Sequence, residues 1–168
     1  MRCPHCDHEN LSGDDVCAFC GQDLTQMDRP APTTPVERSV MEDPLESIPL
    51  DPPPLVEPNT PLSEVVALLV ARNVGAVLVA SECGLAGIFS ERDLLTKVGD
   101  RYAEWRQEPV GRFMTPRPEV LSPDDPIAFA LNRMDVGHFR HIPLVDGGVP
   151  IGLVSIRRIL RYLTAQER

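Results

Sequence analysis

The chain has 168 residues, of which 42% are hydrophobic and 24% are charged, a composition typical of a globular protein rather than a disordered one. Its formal net charge of −9 at pH 7 argues against a broad nucleic-acid interface, because such an interface needs clustered Lys and Arg to neutralise phosphates. The longest apolar run, from Val65 to Ala71, is far shorter than the roughly 20 residues of a membrane-spanning helix.

Two closely spaced cysteine pairs mark the start of the chain. Two residues separate Cys3 from Cys6 and Cys17 from Cys20, and ten residues separate the two pairs. Four thiolates in this spacing can converge tetrahedrally on one zinc ion, and so short a segment has no apolar core that would fold it otherwise. Residues 1–25 resemble the short zinc ribbons at the ends of many bacterial proteins. We predict a structural zinc ion ligated by all four cysteines.

Two other chemistries use cysteine pairs. Disulfide bonds are disfavoured because the N-terminus has neither the charged start nor the apolar stretch of a secretory signal, so we expect a cytoplasmic protein whose thiols stay reduced. A rubredoxin-like iron site is disfavoured by the short loop between the pairs. Cys83, the fifth cysteine, is expected to be an ordinary exposed thiol in a turn.

Proline dominates the next part of the chain. Nine of the 18 prolines fall between residues 28 and 58, and proline-rich segments form extended spacers or, less often, peptide ligands. We predict a flexible proline-rich linker over residues 26–44, between the ribbon and the remainder of the chain.

From residue 45 onward the sequence repeats itself without a gap. Residues of the same type recur 65 positions apart, as in Pro61 and Pro126, Gly87 and Gly152, Ser90 and Ser155, Arg92 and Arg157, and Leu95 and Leu160. This register predicts two copies of one unit, at residues 45–100 and 101–168.

Each copy has the pattern of a helix, two strands and a second helix. In the first copy Thr60 is expected to cap a helix whose apolar stripe consists of Leu62, Val65, Val66, Leu69 and Val70. Residues 76–80 and 85–89 are short apolar runs typical of buried strands, and residues 90–97 are predicted to form the second helix. The second copy has its predicted strands at 142–145 and 151–154 and its last helix at 156–163.

A two-stranded sheet is too small to be stable alone, so the two copies are expected to pack sheet to sheet. The predicted fold class is therefore α/β (α+β), with a pair of helix-strand-strand-helix repeats, a small four-cysteine ribbon and a linker.

Four segments of the repeat resemble the signature segments of CBS motifs. They are Gly-Ile-Phe-Ser-Glu-Arg-Asp at 87–93, Phe-Met-Thr at 113–115, Arg-His-Ile-Pro-Leu-Val-Asp at 140–146 and Gly-Leu-Val-Ser at 152–155. The resemblance covers about residues 43–163 and implies a CBS pair, or Bateman module. In such modules the cleft between the two motifs binds AMP, ATP or S-adenosylmethionine, and two modules associate as a disc-shaped homodimer.

The resemblance implies a nucleotide site in the first copy. In CBS motifs the pattern glycine-apolar-x-Ser/Thr-x-x-Asp places the carboxylate on the ribose hydroxyls and the hydroxyl near the phosphate, and Gly87, Ser90 and Asp93 match this pattern. Ser90 also ends a strand and begins a helix, where free backbone amides and the helix dipole favour an anion. Ser-x-x-Asp is equally the pattern of a capping box, in which both side chains only satisfy helix-terminal amides.

The second copy departs from this pattern. It keeps the serine, Ser155, but Arg158 stands at the position equivalent to Asp93. A guanidinium group cannot accept a hydrogen bond from a ribose hydroxyl, although it can bind a phosphate through two hydrogen bonds. Arg158 is therefore either a phosphate ligand or a solvated residue of the helix.

The entry of the first strand also differs between the copies. Arg140 and His141 begin this strand in the second copy, where CBS proteins that sense AMP and ATP often have a basic pair, and such a pair favours a phosphorylated ligand over S-adenosylmethionine. Gly75 and Ala76 are the first-copy equivalents, small enough for an adenine to lie against the backbone. A partly exposed strand end with a hydrogen-bonded histidine is the alternative interpretation.

The chain has no Gly-x-x-x-x-Gly-Lys phosphate loop and no nucleophile elbow, so we expect a non-enzymatic protein. The leading hypothesis is a sensor that binds an adenosyl nucleotide and signals to a protein partner of unknown identity. The alternative is a dimeric adaptor without a ligand, whose ribbon and linker recruit a partner. A redox role is a third hypothesis. Neither nucleic acid nor membrane is an expected partner.

Overall fold

The computed structural model describes residues 1–11, 13–25, 32–82 and 84–166. The chain forms two compact units, Met1–Thr34 and Pro35–Arg168. Residues 26–31 of the expected linker and the expected thiol of Cys83 lie outside the described residues. In the part of the chain that is described, no helix has both the length and the apolar character needed to cross a bilayer.

The second unit contains six α-helices and six strands among its described residues. The elements of its first half are α1 (Pro35–Glu42), β1 (Leu55–Val56), α2 (Leu62–Arg72), β2 (Ala76–Ser81), β3 (Gly84–Ser90), α3 (Glu91–Asp93) and α4 (Tyr102–Trp105). Those of its second half are β4 (Thr115–Pro116), α5 (Ile127–Gly137), β5 (His141–Asp146), β6 (Val149–Ser155) and α6 (Ile156–Ala165). The backbone continues from α3 into a π-helical turn at Leu94–Val98.

The strands confirm the duplicated register. Ala76 pairs with Ser90 in the antiparallel β2–β3 hairpin, and His141 pairs with Ser155 in the β5–β6 hairpin. The register shifts after Val79 in one hairpin and after Leu144 in the other. Both the pairs and the bulges are related by the same 65-residue offset, so the two copies share one fold down to this irregularity.

The two sheets pack on each other, as the apolar strands predict. The first sheet has the order β1-β2-β3-β4, with β1 parallel to β2, and the second consists of β5 and β6. One face of β2 contributes Val77 and Val79 to the core of the first copy. Its other face packs Ala76 and Leu78 against Leu153 of the second sheet. Strand β2 is therefore apolar at successive positions because both of its faces are buried.

The beginning of α2 differs from the sequence prediction. Pro61, rather than Thr60, is the N-cap residue, and no side chain caps this helix. The free amides of Leu62 and Ser63 instead donate to the backbone carbonyls of Glu108 and Arg106, at 2.9 and 2.8 Å. The helix end is satisfied by a distant part of the chain, which a search for local capping residues cannot detect.

A helix lies within the segment expected to be a linker. Residues 35–42 form α1, whose Val36 and Val40 side chains pack against the core of the second copy. Its two apolar residues four positions apart lie on one face of the helix. Proline content alone therefore does not define the end of the linker.

The two copies exchange the segments that precede them. Leu45 and Ile48, which lead into the first copy, are buried in the core of the second copy. Val110 and Phe113, at the equivalent positions of the repeat, are buried in the core of the first copy. Hydrogen bonds follow the same exchange. The Leu45 amide donates to the backbone carbonyl of Asp125, and the Val110 amide donates to the backbone carbonyl of Thr60, both at 2.9 Å. Neither copy has a complete core without the other.

Replacement of Leu45 by Ala should therefore destabilise both copies together. Leu45 is fully buried, and loss of such a side chain costs about 2–5 kcal/mol. Trp105, the only tryptophan of the chain, packs against the core of the first copy, whereas Leu45 packs in the second. Urea unfolding followed by Trp105 fluorescence and by circular dichroism should give one shared, lowered midpoint.

The matched control is Leu95→Ala, because the Leu95 side chain is 76% exposed and its loss should change the free energy of unfolding by less than about 0.5 kcal/mol. An unchanged Trp105 transition in Leu45→Ala would show that the copies unfold independently.

Candidate functional site

The cysteines of the first unit lie in two equivalent backbone turns. The carbonyl groups of Cys3 and Cys17 accept from the amides of Asp7 and Gly21, each at 2.9 Å. Asp7 and Gly21 both have positive φ angles, 60° and 71°, which lets the chain turn back toward the cysteine. Each turn directs two thiols into the same small volume.

The four sulfur atoms form a compact cluster. All four Sγ atoms lie within 4.8 Å of one another, and the Cys3–Cys20 and Cys6–Cys17 sulfur pairs are each 3.6 Å apart. None of these four cysteines forms a disulfide. Thiolates bound tetrahedrally at about 2.3 Å from zinc are about 3.8 Å apart, so the cluster fits a four-coordinate metal ion.

The electrostatics of the cluster favour a cation. The backbone amide of Cys20 is the main cause that lowers the pKa of Cys17 to about 6. The His8 amide acts in the same direction on Cys6, but burial and the neighbouring sulfurs outweigh it and raise the Cys6 pKa to about 12. The four thiols cannot all ionise against one another, and a bound metal ion removes this conflict.

Asn10 joins the two turns, and the sequence analysis did not identify it. Its side-chain amide donates to the His8 carbonyl and accepts from the Ala18 amide, both at 3.0 Å, and its side chain is buried. His8 stacks on Phe19 and is not part of the sulfur cluster. No spacing rule marks Asn10, because its role depends on the packing of two loops.

In the second unit, two cavities lie between the copies. The first, here called the Asp93 pocket, has a volume of about 890 Å³ and is lined by Ser90 and Asp93. The second, called the Arg158 pocket, has a volume of about 600 Å³ and is lined by Gly75, Ser155 and Arg158. Three residues line both cavities, namely Glu91, Arg140 and His141.

Ser90 and Asp93 form a capping box at the start of α3. The Ser90 amide and hydroxyl both donate to Asp93 Oδ2, at 2.9 and 2.6 Å, and the Asp93 amide donates to Ser90 Oγ at 3.3 Å. The second carboxylate oxygen, Oδ1, accepts from Lys97 Nζ at 2.7 Å and from Thr115 Oγ1 at 3.1 Å. The capping interpretation is therefore correct for this structure, and Asp93 also borders the cavity.

The environment of Asp93 favours its charged form. Burial alone would raise the pKa of Asp93, but the hydrogen bonds from Lys97 and Ser90 hold it below its usual range. Lys97 also donates to the Phe113 carbonyl at 2.9 Å. This lysine thus ties the carboxylate to the segment that leads into the second copy.

Arg158 is held at the edge of its pocket by two contacts. Its guanidinium donates to the Pro49 carbonyl at 2.8 Å and forms an ion pair with Asp51. The Arg158 amide donates to Ser155 Oγ at 3.4 Å, which caps the start of α6. Asp51 lies more than 100 residues away in the sequence, so the pair was not predicted.

The imidazole of His141 lies against Gly75. A Cβ atom placed on Gly75 would be 2.7 Å from His141 Nε2, so glycine is needed there for the imidazole rather than only for an adenine. Burial lowers the pKa of His141, the Glu91 carboxylate opposes this effect, and Arg157 and Arg140 add to it. His141 is therefore neutral at pH 7 and lies between the two cavities.

Two of the predicted site residues lie away from both cavities. Ala76 is fully buried between the sheets. A Cβ atom on Gly87 would lie 2.5 Å from Met114 Sδ and 2.8 Å from the Thr115 carbonyl. Gly87 thus permits the pairing of β3 with β4, in which Gly87 lies opposite Pro116.

Lys97 and Thr115 were not predicted as site residues, although both contact Asp93. Lys97 follows Asp93 by four positions, the spacing of an ion pair on one face of a helix. Thr115 carries no such local signal, because β4 brings it to the carboxylate.

Comparison with known proteins assigns the repeat. Residues 45–100 and 110–165 each match the CBS domain family. Over 106 residues the chain is 36% identical to the CBS domain-containing protein CBSCBSPB5 of Arabidopsis thaliana. The matched region is 62% of this chain but only 19% of that plant protein.

Solved structures share this architecture. The CBS-domain containing protein ATU1752 from Agrobacterium tumefaciens is 28% identical with a TM-score of 0.66, over 73% of this chain and 94% of that protein. CBSX2, whose crystal structure contains AMP, is 25% identical with a TM-score of 0.63, over 74% of this chain and 98% of that protein.

The contacts of Asp93 make a prediction for stability against pH. A carboxylate whose pKa is lower in the folded state stabilises the protein above its unfolded pKa, about 4, and this contribution is lost as the pH falls through the folded value. Asp93→Asn should lower the free energy of unfolding at pH 7 by about 1–3 kcal/mol, and its difference from the wild type should shrink below about pH 4.

Urea unfolding over this pH range measures the effect. Asp146→Asn, at an exposed aspartate at the end of β5, is the control and should differ little from the wild type throughout. A penalty in Asp93→Asn that stays constant down to pH 3 or so would show that the charge of Asp93 does not stabilise the fold.

Proposed function

This chain belongs to the CBS domain family, and we propose that its two motifs form a non-enzymatic regulatory module that binds an adenosyl nucleotide and signals to a protein partner. CBS-domain proteins are generally regulatory rather than catalytic, and a relative of the same fold, CBSX2, binds AMP. The observation that supports the proposal best is the Asp93 pocket. It brings the first copy's carboxylate to the same cavity as Arg140 and His141 of the second copy.

The size and chemistry of the Asp93 pocket suit a nucleotide. Its volume of about 890 Å³ lies within the usual range for small-molecule sites, about 300–1,000 Å³. We expect Asp93 to accept from the ribose hydroxyls, in place of Lys97 and Thr115, and Arg140 with His141 to contact phosphate. The charged Arg140 favours AMP or ATP over S-adenosylmethionine, which carries no phosphate, while the neutral His141 can donate one hydrogen bond to a phosphate oxygen.

Calorimetric titration of the full chain with AMP, ATP and S-adenosylmethionine tests this proposal. AMP or ATP should bind the wild type, and Asp93→Asn should weaken the binding at least about tenfold, because a charged acceptor of the ribose hydroxyls is lost. Asp100→Asn removes the same charge at an exposed residue outside both pockets and should bind normally. Absence of binding by all three ligands contradicts the proposal.

A ligand-free adaptor is the second candidate function. The observation that favours it is the complete internal pairing of Asp93, whose two oxygens already accept four hydrogen bonds. In this case the CBS pair is a dimeric scaffold, and the ribbon and linker recruit the partner. The same titration separates the two functions, because a scaffold binds no nucleotide and therefore has no nucleotide affinity for Asp93→Asn to reduce.

We also propose that the four-cysteine cluster holds a structural zinc ion, and that the protein is a cytoplasmic homodimer. The sulfur distances support the metal, because they match those of four thiolates around one ion. The proposed cytoplasmic location is consistent with the metal, because thiols stay reduced in that compartment. Dimerisation is proposed from the family alone.

Metal analysis of the purified protein tests the zinc proposal. The wild type should contain one zinc ion per chain and no iron, and Cys17→Ser should lose the metal because it removes one of four thiolates. Cys83→Ser removes the fifth cysteine, which is not one of the four proposed ligands, and should retain the metal. Iron in place of zinc would instead support the redox hypothesis.

A further inference from the structure

The Arg158 pocket concentrates positive charge. It is lined by two acidic residues, Asp51 and Glu91, and by five arginines, Arg72, Arg140, Arg157, Arg158 and Arg161. The whole chain carries a formal charge of −9, so this cleft has the opposite sign to the protein around it. Like charges in one cleft repel each other, and an anion that binds among them relieves this repulsion.

Within the described part of the chain, most of these guanidinium groups have no acidic partner. Among the described residues, Arg158 is the only one of the five that forms an ion pair, and its partner is Asp51. Arg140 and Arg157 instead act on His141, whose pKa they lower together with burial. Four guanidiniums are thus free to bind an external anion, each through up to two parallel hydrogen bonds.

The pocket lacks a carboxylate at the motif position that would accept from a ribose, and its residue Glu91 is shared with the Asp93 pocket. The position equivalent to Asp93 is Arg158, and the nearby Asp51 side chain is 82% exposed and already paired with it. The Asp93 pocket is more balanced, since three acidic residues, Glu91, Asp93 and Glu119, face its four Lys and Arg residues, Arg92, Lys97, Arg117 and Arg140. Two of these cations are also engaged, because Arg92 donates to the His138 carbonyl and Lys97 pairs with Asp93.

We infer that the Arg158 pocket is an anion site for a ligand with a diphosphate or triphosphate chain, which it recognises through the phosphates rather than the ribose. The inference deepens the proposed function and rests on it only in placing a ligand between the two copies. Arg157 and Arg161, one helical turn apart on α6, bind the phosphate chain from one side. Arg72 binds it from the first copy, and Arg140 binds it from the entry of β5. The phosphate chain replaces Asp51 as the partner of Arg158.

Titration of the 168-residue chain with inorganic tripolyphosphate, which has neither ribose nor base, tests this inference. The wild type should bind it, more weakly as salt is added. The double variant Arg157→Gln with Arg161→Gln should bind at least about tenfold more weakly, because two charge-assisted contacts are lost. Asp51→Asn should bind more tightly, because it removes the internal competitor for Arg158.

Two controls separate the pocket from general charge effects. The double variant Arg38→Gln with Arg112→Gln removes the same charge at exposed arginines that line neither pocket, and it should bind like the wild type. Asp93→Asn should lose AMP affinity while it keeps its affinity for tripolyphosphate.

The outcomes distinguish this inference from the proposed function. Binding of AMP without binding of tripolyphosphate overturns the inference and leaves the function intact. Binding of tripolyphosphate that is weakened by Arg157→Gln with Arg161→Gln but not by the control pair supports the inference even where AMP fails to bind. Equal weakening by the two double variants reduces the effect to nonspecific attraction and overturns the inference.

Discussion

The reciprocal exchange of the segments at Leu45 and Val110 is the constraint on which the second unit depends. Each segment completes the hydrophobic core of the other copy and also satisfies backbone groups there. The two copies therefore cannot separate without exposing apolar side chains and unpaired amides at the same time. Because the exchange fixes the copies relative to each other, it also fixes the width of the cleft in which both pockets lie.

Within this symmetric frame, a few substitutions make the two pockets chemically different. The first copy has Asp93 at one such position, a buried acceptor whose oxygens are all paired. The second copy has Arg158, a cation whose partner, Asp51, is exposed. At the strand entry, Gly75 in one copy makes room for His141 from the other. Glu91, Arg140 and His141 line both pockets, so the boundary between the pockets is itself polar. Charge bound in either pocket acts on this boundary.

Much of the fold followed from the sequence because its determinants are local or periodic. The 65-residue register, the buried strands and the cysteine spacing each leave a pattern that is visible without coordinates. The features that were missed depend on contacts between distant residues. The carbonyls of Glu108 and Arg106 replace a local cap on α2, and Asp51 reaches Arg158 only after the chain folds. Helix α1 was missed because its stabilisation comes from packing on the second copy rather than from its own composition.

The pairing of Asp93 gives a physical link between occupancy and shape. A ligand that hydrogen-bonds its Oδ1 atom has to displace Lys97 and Thr115, since the Oδ2 atom is occupied by Ser90 in the capping box. Both displaced groups hold the segment 113–115, in which Phe113 completes the core of the first copy and Thr115 begins β4. Binding at the carboxylate therefore replaces contacts that join the two copies by contacts to the ligand. Such an exchange couples a local site to the geometry of the whole unit only if the ligand binds one arrangement of the two copies with a more favourable free energy than another.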